Sequence, residues 1–588
     1  MPRAGGLVFI IAGLLIGAAA GAAEGAGARF AALVEREWQW RLREFPTFAT
    51  AVGVHDFDDR LEDASLAAWE RRGRETEAFL AELDAIGRDG LDERDRVDYE
   101  IFRTQLVERR DSIRYGEHLL TLNADSGFHS GFTLLHMGVP LSTVRDYENY
   151  LARLEAFPLW LDQHVERMRE GLRRGMTIPR ATLAGVETTI RPLAEGTPEA
   201  HPVYQPFTRM PATFTEENRA RLVERARSVV AGKILPGYAR FLAFMTEEYV
   251  PGCRASLAAS ALPDGDAFYR FQVRRYTTLD LEPRAIHELG LREVAAIRAE
   301  MEKLIASTGF AGSFDEFLHF LRTDPRFYAK SPEELLKEAA WIAKRMDGQL
   351  PRLFGRLPRQ PYGVMAVPPA LAPKYTSGRY SGSPKDSTEP GWYWVNTFAL
   401  DKRPLYNLEA LTLHEAVPGH HLQGALAEEA EAVRPFRRYD YISAFGEGWG
   451  LYSEWLGNEA GFYTDPYRKF GYLGYQAWRA CRLVVDTGLH QFGWTRQQAI
   501  DYLAANTALP LHEATTEIDR YISWPGQALS YYLGYLKIRE LRARAEGALG
   551  ERFDVRGFHD HVLAEGSVPL PVLEQRIDTW IAARRGDS

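Results

Sequence analysis

Three histidines and a glutamate fall within eight positions of the segment Leu411-Thr412-Leu413-His414-Glu415-Ala416-Val417-Pro418-Gly419-His420-His421-Leu422-Gln423. Imidazole nitrogens are good zinc ligands, and a carboxylate beside them can take a proton from a metal-activated water. The familiar spacing H-E-x-x-H places two imidazoles one helical turn apart on one face. Here Pro418 occupies the place of the second histidine. On a straight helix, at about 100° per residue, the sixth residue after His414 lies on the far side and the seventh roughly 10 Å along the axis. Pro418 lacks a backbone donor and Gly419 tolerates unusual dihedrals, so a widened turn that loops out two residues would bring His420 to the second ligand position. His420 needs the smaller distortion, and His421 stands as its alternate.

A catalytic zinc takes three protein ligands and keeps one position open. Phe445-Gly446-Glu447-Gly448-Trp449-Gly450-Leu451-Tyr452-Ser453-Glu454 offers the third ligand. Glu447 and Glu454 are seven residues apart and share a helix face. Glycines beside Glu447 permit close backbone approach. Glu447 is the expected ligand and Glu454 the group that orients a histidine. The plainer alternative, an exposed glutamate pair, fits poorly with Phe445, Trp449 and Leu451 around them. Two other His-Glu pairs, His287-Glu288 and His512-Glu513, have no second histidine nearby. The first reads as structural on an amphipathic helix, the second as a helix start or surface position.

The elements that must position these groups are mostly helical. Apolar residues recur at three and four spacings from Phe30 to about Tyr115, and the same period runs through Leu141 to Arg174, Glu216 to Glu248 and Pro283 to Ser307. Between Pro351 and Pro390, where Pro, Gly, Ser and Tyr are dense, helical period is lost. Gly391-Trp392-Tyr393-Trp394-Val395-Asn396-Thr397 then suits a short strand. Helices resume near Leu405, with breaks expected at Pro418-Gly419, around Pro510 and at Pro525-Gly526.

The sequence resembles the bacterial domain of unknown function 885 family over most of its length. The resemblance rests on His-Glu-Ala-x-Pro-Gly-His-His (His414 to His421), Glu-Gly-Trp-x-Leu-Tyr (Glu447 to Tyr452), the segment around Ile286-His287-Glu288-Leu289-Gly290-Leu291, and Arg520-Tyr521 with Pro525-Gly526-Gln527-Ala528. Together with the His-Glu…Glu logic of gluzincin peptidases, it implies a mainly α fold: a large helical body with a deep channel and a small strand region, like the helical gluzincins and oligopeptidases. Where relatives often carry Tyr-Lys before a glycine, this chain has Tyr531-Tyr532-Leu533-Gly534. In such a site Glu415 is the expected general base, and the developing oxyanion needs a donor besides zinc. Tyr531 is the first candidate, then Arg520 or Tyr521. Arg520 is also a candidate for holding a substrate carboxylate. Asn396 and Tyr521 are candidates for contacting substrate, Asn396 from the strand before the metal helix.

Length and composition agree with a soluble enzyme. A chain of 588 residues with 45% apolar and 26% charged residues can bury a large core. Its net charge of -9, with no long basic run, gives no footprint for nucleic acid. Arg3, the apolar run Leu7 to Ile16 and the small residues Ala18 to Ala23 read as an export signal over residues 1–23. No cysteine lies near it to take a lipid, and no later stretch is apolar enough to span a membrane. The expected product is periplasmic or secreted, with an N-terminal helical region over 24–300 and a metal-binding catalytic region over 301–588 intertwined in one body. Cys253 and Cys481 are the only cysteines, and their pairing stays open. The function expected first is zinc-dependent peptide hydrolysis. Hydrolysis of a non-peptide amide or ester, or a non-catalytic metal-binding helical module, are the alternatives.

Overall fold

Helix makes up 71% of the structure and strand 3%, so packing of helix on helix has to supply the core. This computed structural model describes residues 25–586 apart from 125, 370–371, 373–374, 383–389 and 431–432. The expected export signal, residues 1–23, lies outside the described residues. The elements that build the site are α1 (Ala26–Glu44), α2 (Glu93–Arg114), α3 (Val144–Arg174), α4 (Pro283–Ser307), β1 (Tyr362–Ala366), β2 (Gly378–Ser381), β3 (Gly391–Val395), α5 (Leu408–Glu415), α6 (His420–Glu428), α7 (Ser443–Leu456), α8 (Pro466–His490), α9 (Leu511–Ser523) and α10 (Ser530–Leu549).

The long helices start and stop where their sequences satisfy the end groups. At the start of α3 the Thr143 side chain accepts from the Asp146 N–H, and the Asp146 carboxylate accepts from the Thr143 N–H. Gly175, in the left-handed region at φ 71°, closes it. Asp465 accepts from the N–H groups of Tyr467 and Arg468 to start α8, with Pro466 at its first position. From Phe470 to His490 every residue of α8 is buried. A helix closed in on all sides forms the axis of a large core. α4 lies against it so closely that a β-carbon at Gly290 would stand 2.7 Å from Leu483 Cβ. There His287 Nδ1 meets Thr487 Oγ1 at 2.8 Å, which gives this histidine a structural place. His512 is exposed in the first turn of α9.

Two hydrophobic clusters result. One lies around α3 and includes residues between Ala64 and Cys253. The other joins α1 and α2 to nearly everything from Ala259 to Ile581, so packing crosses the expected border at residue 300 freely. Trp38 of α1, for example, stacks on Tyr439 with ring centroids 6.1 Å apart. Cys253 and Cys481 are buried and unpaired. No helix of the described residues is long and apolar enough to cross a membrane.

The strand region is a three-stranded sheet of order β1-β3-β2, with β1 and β3 parallel and β2 antiparallel to β3. Tyr393 of β3 is buried, and its hydroxyl lies 3.3 Å from Thr412 Oγ1, which sets the sheet against α5. On the other side, α7 and α10 cross at glycines. A β-carbon at Gly534 would lie 1.9 Å from the Ala444 carbonyl oxygen, and one at Gly448 would lie 2.5 Å from Gly534 C. Gly534→Ala must therefore push the two helices apart. It is expected to lower stability by about 1–3 kcal/mol or more through overpacking. Gly547→Ala in the same helix, where a β-carbon meets nothing within 4 Å, should leave the thermal midpoint equal or higher. Calorimetry of the two variants measures the difference.

Candidate metal centre

α5 ends at Glu415 and α6 begins at His420, so the two histidines sit at facing helix ends rather than on one bulged helix. Pro418 has no N–H to offer the His414 carbonyl, and the helix stops there. The backbone turns through Ala416 (φ -91°, ψ -112°) and Gly419 (φ -76°, ψ -129°), with the Val417–Pro418 peptide cis. The His421 N–H then returns to the Ala416 carbonyl at 3.1 Å. A β-carbon at Gly419 would stand 1.9 Å from the His414 carbonyl oxygen, so this return admits only glycine. The Trp449 indole N–H holds the turn by donating to the Pro418 carbonyl at 2.8 Å.

The turn brings the His414 and His420 rings to a centroid distance of 4.8 Å, nearly perpendicular at 86°. Glu447 Oε2 lies 3.6 Å from His414 Nε2 and 3.5 Å from His420 Nε2. One ligand atom from each of the three lies within 4.8 Å of the others, the only such group among the described residues. Ligand atoms at tetrahedral zinc, each about 2.0–2.2 Å from the ion, stand about 3.4 Å apart, so the donor set fits zinc in type, number and spacing.

The surroundings favour positive charge here. His414 Nδ1 lies 2.8 Å from Glu454 Oε1, which turns Nε2 toward Glu447. Burial opposes a charged His414, but Glu447 and Glu454 outweigh it and raise its pKa to about 10. Burial would likewise raise Glu447, yet His414 and His420 hold it well below the usual carboxylate range. α7 lies against the His414 ring at Gly450, where a β-carbon would be 2.7 Å from Cε1 and Nε2.

Glu415 sits between the metal-type cluster and the sheet. Its Oε2 accepts the N–H of Tyr380, on edge strand β2, at 2.8 Å, and its Oε1 has no hydrogen-bond partner among the described residues. Tyr441, which the sequence did not single out, donates its hydroxyl to Glu447 Oε1 at 3.1 Å. Its ring crosses Gly446, where a β-carbon would meet it at 2.4 Å. Tyr441 is 56% exposed, yet burial is the first cause raising its phenol well above the ordinary value, with Glu447 next. Nothing in the spacing of Tyr441 marked it, because it lies in the loop before α7.

Tyr531, at the start of α10, lies with its ring 4.2 Å from the Arg482 guanidinium and is among the groups acting on the Tyr441 phenol. The remaining sequence candidates have other engagements. His421 points away from the cluster: its Nδ1 lies 3.1 Å from the Tyr380 hydroxyl and its ring packs on Tyr362, while burial lowers its pKa to about 4. Asn396 is fully buried, donating to the carbonyls of Ala372, Tyr375 and Thr376 and accepting from the Phe398 N–H, so it braces a loop instead of meeting substrate. The buried Tyr521 hydroxyl accepts from Trp478 Nε1 and Arg482 Nε, which removes it as a substrate contact. Arg520 pairs with Glu517 at 3.2 Å and Gln527 at 2.6 Å and so braces α9 against the Pro525-Gly526 turn. Apart from Glu517, three residues before Arg520 on α9, and Phe398, two after Asn396, these partners lie outside the candidate's own element, and spacing carries no sign of them.

Fold and site together define a mainly helical protein with a partly buried cluster of two histidines and a glutamate, of the kind that can hold a divalent metal. The chain belongs to the family described as bacterial protein of unknown function (DUF885), whose model matches residues 46–577. It is similar to the crystal structure of a candidate lipoprotein from Colwellia psychrerythraea, with 27% identity and a TM-score of 0.89 over 95% of this chain and 100% of that one. A candidate lipoprotein of unknown function from Shewanella oneidensis shares the fold at 18% identity and a TM-score of 0.67, over 93% of this chain and 98% of that one. No curated protein matches this sequence.

Two substitutions test the geometry of the cluster. Gly450→Ala should displace the His414 ring and leave the purified protein with well under one zinc per chain, its helix content unchanged by circular dichroism. Glu454→Gln should weaken zinc binding about 10–100-fold in a chelator competition, the usual effect of losing the partner that orients a histidine ligand.

Proposed function

We propose that the protein is a zinc-dependent hydrolase that cleaves peptide bonds. The observation that carries the reading is the convergence of His414, His420 and Glu447 within 4.8 Å, with Glu415 next in the chain to His414. Zinc, when bound by these three, supplies a Lewis acid for the scissile carbonyl and lowers the pKa of its water to about 7. The chain's own residues do the rest. Glu415, aimed by the Tyr380 N–H, takes the proton from the attacking water on its free oxygen and passes it to the leaving amine. Glu454 fixes the ring of His414, and Tyr441 fixes the second oxygen of Glu447. Tyr531, close enough to Tyr441 to act on its phenol, is the candidate donor to the oxyanion.

A peptide is favoured over a small amide by β2. This edge strand runs beside the general base and can align an extended chain through main-chain hydrogen bonds. An exported protein, periplasmic or secreted, is supported by the signal-like N-terminus and by the candidate lipoproteins that share the fold.

Elemental mass spectrometry of the purified chain should find one zinc per molecule, and a peptide-library digest should show cleavage that stops on chelation. Glu415→Gln should retain the zinc and lose about 10²–10⁴-fold in turnover. Unchanged turnover in that variant would show that the chemistry lies elsewhere, and a zinc-free protein after reconstitution would remove the hydrolase reading altogether.

A further inference from the structure

α8 carries a polar stripe through the core, and most of it is matched. Arg482 donates to the Tyr521 hydroxyl and to Glu517. Asp486 accepts from the Tyr269 hydroxyl and the Gly526 N–H. His490 meets the Ala259 N–H and the Tyr521 carbonyl.

Gln476 Nε2 and Arg482 Nη1 each lack a partner among the described residues, and Arg479 is the least matched of all. It is 5% exposed, and its guanidinium makes no hydrogen bond to any described residue. Nε and Nη1 are sealed from solvent without a partner. Its closest charge is Glu454 Oε1, 3.7 Å from Nη2 and beyond hydrogen-bond distance. The rings of Tyr475 and Trp478, 4.4 and 4.3 Å from its Cζ, hold it in place. One turn earlier on the same face, Tyr475 is also 5% exposed, and its hydroxyl has no hydrogen-bond partner among the described residues.

A buried guanidinium is a planar array of five donors, and leaving it unmatched is costly unless a ligand completes it. The pair stands beside the catalytic candidates. Burial raises the Tyr475 phenol first, and the charges acting on it are then Arg479, Glu513, Glu454 and Glu415. Arg479 lies 3.7 Å from Glu454, which in turn orients His414, so the pair borders the metal-type cluster. Arg520, the sequence's own candidate for an anion, is engaged by Glu517 and Gln527.

We propose that Arg479 and the Tyr475 hydroxyl form a binding site for a substrate carboxylate, which selects peptides bearing a free acid close to the bond that is cut. Nη2, the one guanidinium nitrogen that is not sealed, offers its N–H to the carboxylate, and the phenol O–H adds a second donor. The site rests on the hydrolase reading for its purpose, but its ligand chemistry can be measured without turnover.

Isothermal titration of the zinc-loaded Glu415→Gln protein is the test. The probes are acetyl-trialanine as free acid and as amide, and an amidated acetyl-dialanyl-glutamate with its glutamine counterpart. The first pair reads a C-terminal carboxylate and the second a side-chain one. Preference for an acid over its neutral match by tenfold or more, in either pair, is the expected result. Adding Arg479→Met should erase that preference while the affinity for the neutral probe and the zinc content stay unchanged, and adding Tyr475→Phe should reduce it several-fold.

Equal binding of acid and neutral probes, or an acid preference that survives Arg479→Met, would overturn the site. If Arg479→Met loses zinc, because its neighbour Glu454 orients His414, Tyr475→Phe decides alone, and an undiminished preference there overturns the proposal. The hydrolase reading fails separately, by absence of cleavage in the Glu415-containing protein whatever these affinities are.

Discussion

A β-carbon at residue 419 would stand 1.9 Å from the carbonyl oxygen of His414, and the chain must nevertheless return over the end of α5 at that point. This tight return sets His420 against His414. Every other feature of the cluster adjusts to it. The Trp449 indole caps the turn from α7, and the same helix supplies Glu447 and Glu454, so one element holds the turn, brings the carboxylate that joins the two histidines and orients His414. α7 can do this only by lying very close, which is why Gly446, Gly448 and Gly450 face the Tyr441 ring, α10 and the His414 ring. The glycines beside Glu447 serve contact on three sides.

Charge follows from that packing. His414, Glu447 and Glu454 stand in a place where water is scarce, so each ionised group has to be answered by another. Two carboxylates around one imidazole raise it to about 10, and two imidazoles hold Glu447 down. The group therefore favours positive charge at its centre. α8 passes behind this group, and its stripe of Tyr475, Arg479, Arg482 and Asp486 extends the same polar logic away from it through an otherwise apolar core.

Much of this was legible in the residues alone. The helix predicted over Pro283 to Ser307 has those bounds, the strand expected from Gly391 ends at Val395, and the breaks at Pro418-Gly419 and Pro525-Gly526 fall between elements. Periodicity reports such things well because it reflects local geometry. His414, His420 and Glu447 were selected by residue type and spacing, and the structure brings the three together. Asn396, Tyr521 and Arg520 were selected the same way and are engaged elsewhere, by loop carbonyls, α8 and α9. A polar side chain near a motif is as well suited to bracing a loop as to touching substrate, and only its partners tell which.

The sequence by itself determined that the chain is helical, where it turns, and which four side chains have the chemistry for a metal and a proton transfer, because those properties depend on residue type and on neighbours within a turn or two. Tertiary structure decided the rest. It chose two facing helix ends over one bulged helix, turned His421 toward Tyr380 and Tyr362, brought Tyr441 to Glu447, and left Arg479 of α8 without a hydrogen bond beside Glu454. Each of these depends on which surfaces meet across the core. That is settled by close contact between residues far apart in the chain, at glycines no wider than a backbone, and periodicity along one helix has no access to it.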